Sequence, residues 1–164
     1  MSIKQLLSLS LAMLLLAGST ALAEEKSPVT ITTQAVVEKK VATPEGRLEI
    51  KRVPATEVLP GATVIFVNTI SNTTDTAAEN IAVSNPVPRN MTYLDGSATA
   101  KNLSVTFSVD GGKSFDLPGK LTVPGPDGKP RPAVAADYTD IRWQFTRPLP
   151  AKATEQVEFQ AKVR

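Results

Sequence analysis

The sequence predicts an all-β protein, an Ig-like antiparallel β-sandwich of about seven to nine strands, and three observations predict it. Val, Ile, Leu and Phe recur at period two through most of the chain beyond residue 28. All 13 prolines lie outside the first 23 residues and fall between those alternating runs. No window of a dozen residues repeats its apolar positions every three to four, so the crossover helices a parallel sheet requires are missing. Proline removes a ladder donor, which makes prolines at this spacing markers of strand ends and loops.

The first element is not a strand. Lys4, an apolar run over 6–17 and the small residues of Ala21-Leu22-Ala23 ahead of Glu24-Glu25 form the tripartite pattern of a cleavable export signal. The run is short of the roughly 20 residues needed to cross a bilayer. The expectation is a signal peptide over 1–23 cleaved after Ala23, a flexible mature N-terminus over 24–28 and one domain over 29–164. The product is expected to be periplasmic or secreted, with no integral membrane anchor after cleavage.

Cleavage leaves 141 of the 164 residues, enough for one domain with its own core. The chain has no cysteine, so there is no lipid acceptor, and the core must suffice without disulfides. Its 18 basic and 16 acidic residues nearly balance once Lys4 is removed. A nucleic-acid surface needs a clustered basic excess, and none is present.

Along the domain, Val29, Ile31, Thr33, Ala35 and Val37 share one face of a first strand. Leu48 and Ile50 alternate with Arg47, Glu49 and Lys51 in a second, and both strands read as half-buried. Lys39-Lys40 and Lys51-Arg52 fit the solvated face of a hairpin. Pro60-Gly61 turns into a strand with Val64, Phe66 and Ile70 inward. Residues 72–75 then supply a polar turn, and Ile81 and Val83 return as the partner strand until Pro86 and Pro88 stop the pairing. Three later runs alternate as cleanly: Leu103, Val105, Phe107 and Val109; Ile141, Trp143 and Phe145; and Val157, Phe159, Ala161 and Val163.

The central segment carries a recognisable pattern. Pro60-Gly61-Ala62-Thr63-Val64-Ile65-Phe66, Ile70-Ser71-Asn72-Thr73, the stretch 77–83, Asn85-Pro86-Val87-Pro88, Met91-Thr92-Tyr93-Leu94 and Gly96-Ser97 follow in order. Together they resemble the DUF11 family, the conserved repeat domain of bacterial surface proteins, in a single copy. Ala62 stands where that family usually has an acidic residue, and Asn68 occupies an inward position more often apolar. The resemblance implies a sandwich scaffold in an exported bacterial protein, and it brings no catalytic signature.

A second motif, Ser108-Val109-Asp110-Gly111-Gly112-Lys113-Ser114-Phe115, is similar to the Asp-box hairpin of sialidase propellers. A propeller needs at least four blades, more than this chain provides. The residues themselves suit a structural hairpin: Asp110 bonds the backbone of its own turn, Gly111 and Gly112 supply positive φ, and Phe115 packs beneath.

The chain has no histidine, which removes a Ser-His-Asp triad, an imidazole base and a His-containing zinc site. Thiol chemistry goes with the cysteines. Asp110, Asp116, Asp127, Asp137 and Asp140 lie in or beside loops and offer oxygen ligands, but their spacing fits no EF-hand. No catalytic residue, metal ligand or cofactor is assigned. The expected function is a non-enzymatic structural or protein-interaction module of the periplasm or cell envelope, meeting another envelope protein or a surface polymer. The alternative is a small-ligand or carbohydrate-binding module, for which Tyr93 and Tyr138 are the candidates for an exposed ring. For a partner surface the sequence points to the long segment 116–139, with five prolines and the turn Gly125-Pro126-Asp127-Gly128. Its candidate contact residues are Lys120, Asp127, Lys129 and Arg131.

Overall fold

The computed structural model describes residues 29–98 and 103–164. The expected signal peptide and mature N-terminus lie outside them. Among the described residues are ten strands, all paired antiparallel, forming two facing sheets and a small ribbon. The first sheet has the order β2-β1-β3-β10-β5, from β1 (Val29–Ala42), β2 (Leu48–Pro54), β3 (Thr63–Asn72), β5 (Met91–Tyr93) and β10 (Thr154–Val163). The second is β4-β9-β6, from β4 (Ala82–Pro86), β6 (Leu103–Ser108) and β9 (Asp140–Phe145). The ribbon pairs β7 (Thr122–Pro124) with β8 (Pro130–Pro132).

Period-two alternation decides which side chains enter the core. Val64 and Ile70 of β3 point inward with Val157, Phe159 and Ala161 of β10; Val83 of β4, Phe107 of β6 and Ile141 and Trp143 of β9 meet them from the other sheet. Trp143 and Phe159 are wholly buried, with ring centroids 6.1 Å apart. Phe159 also stacks on Phe66 at 4.9 Å, and Tyr93, Phe107 and Tyr138 extend the aromatic cluster at centroid distances of 4.4 to 6.0 Å. This ring cluster, together with aliphatic burial, is what joins the sheets in a chain without disulfides.

Two expectations need correction. The strand with Ile81 and Val83 does not return against β3; β4 pairs with β9 in the facing sheet, and residues 72–75 form a corner between sheets. Asn72 builds that corner. Its Nδ2 lies 2.8 to 3.1 Å from the carbonyls of Thr76, Leu149 and Pro150, while its Oδ1 accepts the amide and hydroxyl of Thr74 at 3.0 and 2.8 Å.

Second, β2 is not half-buried: Leu48 and Ile50 are 71% and 64% exposed. Beyond these, Ile65 is buried although it lies on the outer face of β3, out of phase with Val64. The β1–β2 ribbon accounts for this geometry. Arg52 of β2 bonds Glu158 of β10 at 2.8 and 3.2 Å although β1 and β3 lie between them in the sheet, so the ribbon curls across the outer face.

Candidate functional site

β6 ends at Ser108, a buried residue whose hydroxyl organises the turn that follows. Ser108 Oγ donates to Asp110 Oδ1 at 2.7 Å and accepts the amides of Asp110 and Gly112 at 3.2 and 2.9 Å. Asp110 Oδ1 accepts the amides of Lys113 and Ser114, both at 3.0 Å, and Oδ2 takes the Ser114 hydroxyl at 2.6 Å. The Ser114 hydroxyl, the Ser108 hydroxyl and the turn amides hold the Asp110 carboxyl well below the usual carboxylate range. Gly111 and Gly112 have φ of +77° and +80°, the left-handed conformation the turn requires. Phe115 lies under the guanidinium of Arg142 of β9, 3.6 Å from Cζ to ring centroid.

The segment 116–139 is not a structureless excursion. Asp116 exchanges backbone hydrogen bonds with Phe107 at 2.9 and 3.0 Å, a 3₁₀ turn spans Pro118–Lys120, the β7–β8 ribbon follows, and a second 3₁₀ turn spans Ala135–Asp137. Leu121, Ala133 and Tyr138 anchor it in the core. It returns to the Asp110 turn, where the Thr139 amide donates to Ser108 O at 2.8 Å and the Gly111 amide donates to Thr139 Oγ1 at 3.0 Å.

The four candidate contact residues divide on this frame. Lys120 ends the first 3₁₀ turn and is exposed. Asp127 and Lys129 meet at the ribbon tip: the Lys129 amide donates to Asp127 Oδ1 at 3.1 Å, and the two charges lie 4.0 Å apart. Arg131 is turned back instead of outward. Its Nη1 and Nη2 donate to Asp137 Oδ2 and Oδ1 at 2.7 and 2.8 Å, and Asp137 Oδ2 also accepts the Val134 amide at 2.9 Å. The Arg131 guanidinium and the Val134 amide lower the Asp137 carboxyl below its usual range. Arg131 is thus a clamp on its own loop, and Lys120, Asp127 and Lys129 are its solvent-facing charges.

Between the Asp110 turn, the end of this loop and the segment 86–91 lies an open cleft of about 440 Å³, lined by Arg89, Asp137, Asp140 and Arg164 among others. Arg164 donates Nη2 to Met91 O at 2.8 Å, and the Asp116 carboxylate accepts the Leu117 amide at 2.7 Å. Among the described residues no group of three or more His, Cys, Asp or Glu is placed to hold a metal ion. Tyr93 and Tyr138, expected as exposed rings, are both buried in the aromatic cluster. A Tyr93 hydroxyl that accepts the Ala98 amide at 3.1 Å satisfies the polar tip while the ring packs.

Two features escape the alternation pattern. Asn85 of β4 enters the core and bonds Asn68, and the β2 edge displays Leu48 and Ile50 to solvent. The second had a signal in the sequence: Arg47, Glu49, Lys51 and Arg52 surround the two apolar residues, leaving β2 no face free of charge.

No family model matches this sequence, and neither the curated proteins nor the solved structures include a significant match to it. Among the described residues no helix is long and apolar enough to cross a membrane.

Proposed function

We propose that this chain is an exported, non-enzymatic sandwich protein of the bacterial periplasm or cell envelope, a single DUF11-type module that serves as a structural or protein-interaction unit. The observation that carries this reading is how its groups are employed. The carboxylates of Asp110 and Asp137 are saturated by their own turns and by Arg131. Groups so held make poor general acids, bases or nucleophiles. The exposed apolar side chains Leu48 and Ile50 sit instead on a strand edge that no other strand pairs among the described residues. Such edges recruit partners by adding a strand. The partner class is another envelope protein or a surface polymer, with no nucleic acid and no cofactor involved.

Export rests on residues 1–23, with Lys4, the apolar run over 6–17 and Ala21-Leu22-Ala23. Cell fractionation with mass determination of the N-terminus tests it. The expected product begins at Glu24 and leaves the cytoplasm; a cytoplasmic chain that keeps residues 1–23 contradicts the reading.

A further inference from the structure

The edge formed by β2 has a backbone parity that can be fixed residue by residue. The Ala55 amide donates to Ala35 O at 2.9 Å and the Thr43 amide to Arg47 O at 2.7 Å, at either end of one unbroken register. Odd-numbered residues of β2 therefore turn amide and carbonyl toward β1. Leu48, Ile50 and Arg52 turn theirs outward, to an edge that no strand pairs among the described residues. The same three residues place their side chains on one face, and Leu48 and Ile50 are the exposed apolar pair.

Charge and symmetry select what this edge accepts. Two copies of one strand joined antiparallel by a two-fold axis keep their faces, so each residue opposes one of the same parity and the axis passes through a residue opposed to itself. An axis through residue 49 sets Glu49 against Glu49 of the partner subunit, and one through residue 51 sets Lys51 against Lys51 of the partner subunit. Like charges directly opposed are unfavourable. An axis through Ile50 reverses both costs. Glu49 then faces Lys51 of the partner subunit, Lys51 faces Glu49 of the partner subunit, and Ile50 packs on Ile50 of the partner subunit. Leu48 lies along the stem of Arg52 of the partner subunit. Ile50 is also a residue with outward amide and carbonyl, as a hydrogen-bonded pair on the axis requires. Pro54, which lacks an amide, opposes the turn at Gly46 and falls outside the ladder.

We propose that β2 pairs antiparallel with β2 of a second copy of this chain, on a two-fold axis through Ile50, joining two five-stranded sheets into one. The inference rests on the interaction-module reading and names the partner for its strand edge. One short edge buries less than the roughly 1,200–2,000 Å² of a stable interface, so the association is weak and concentration-dependent.

Sedimentation of the purified full chain from about 1 µM to about 1 mM brackets such an affinity. The expected weight-average mass rises from one chain toward two. Glu49→Lys and Lys51→Glu each weaken association roughly tenfold, by setting two like-charge pairs across the axis. The double reversal Glu49→Lys with Lys51→Glu restores it, because each new lysine then faces a new glutamate. Both positions are exposed, and circular dichroism of each variant checks that the sandwich is kept. Ile50→Cys in this cysteine-free chain gives a disulfide-linked dimer under mild oxidation. A mass of one chain at every concentration overturns the pairing, as does a dimer indifferent to the single reversals. A chain that is exported but monomeric overturns this inference alone, whereas a cytoplasmic chain with residues 1–23 intact overturns the reading beneath it.

Discussion

Asn85 of β4 donates its Nδ2 to Oδ1 of Asn68 on β3 at 2.6 Å, a side-chain hydrogen bond that crosses the sandwich from one sheet to the other. The same Oδ1 accepts the Thr33 hydroxyl of β1 at 2.7 Å, while Asn68 Nδ2 has no partner among the described residues. A buried amide of this kind stabilises little on balance, but removing its partner is costly because a desolvated polar group is left behind.

That asymmetry is measurable. Asn85→Leu leaves the Asn68 carbonyl with the Thr33 hydroxyl as its one remaining donor, facing an apolar neighbour, and is expected to cost about 1–3 kcal/mol in urea unfolding. Asn68→Leu combined with Asn85→Leu is expected to cost less than the sum of the two single changes. Strict additivity would show that the pair is not coupled across the core.

Phe159 touches Phe66, Tyr93 and Trp143, and no disulfide backs up the contact. Phe159→Ala is expected to destabilise the fold by about 3–5 kcal/mol. The chain's single tryptophan, Trp143, reports the transition directly through its fluorescence.

Acid stability follows from Asp110 and Asp137, whose carboxyls are both held below the usual range in the folded chain. A depressed folded pKa gives stability that is present above the unfolded value, about 4, and is lost as pH falls through the folded value. Stability contributed by these two groups is therefore constant at neutral pH and declines only in strong acid. Asp110→Asn is expected to lower thermal stability at pH 7 and to flatten the decline below pH ~4. An unchanged acid profile in that variant contradicts the assignment.

The two glycines of the turn are not equivalent. A Cβ at Gly111 meets open space, whereas one at Gly112 comes 3.3 Å from Asp140 Oδ1, and both sit at positive φ. Gly111→Ala is expected to cost about 1–2 kcal/mol for the left-handed backbone alone. Gly112→Ala is expected to cost more, by the displacement of the Asp140 carboxylate, and thermal unfolding of the two variants ranks them.

Much of this architecture was legible in the alternation of β3, β9 and β10, where one face is apolar at nearly every position, Asn68 of β3 being an exception, and the strand positions follow directly. Sheet membership was not. A polar turn over 72–75 reads alike whether the chain folds back in one sheet or crosses to the facing one, and the Asn72 bonds to Leu149 and Pro150 that decide it span most of the domain. The inward turn of Arg131 was hidden for a similar reason: its carboxylate partner is brought round by the 3₁₀ turn Ala135–Asp137, which no apolar period announces. Exposure of Leu48 and Ile50 had a signal in the charges of Arg47, Glu49, Lys51 and Arg52, whereas the bond from Arg52 to Glu158 that curls the β1–β2 ribbon is a tertiary property.

The central claim is that this protein acts through its exposed β2 edge. Photo-crosslinking from position 50 in growing cells tests it most directly, with Asp127 at the ribbon tip as the comparison site. The account predicts a discrete adduct at the mass of two chains from position 50, lost on Glu49→Lys and regained on adding Lys51→Glu. No adduct from position 50, with a discrete one from position 127, would contradict it and move the working surface to the segment 116–139.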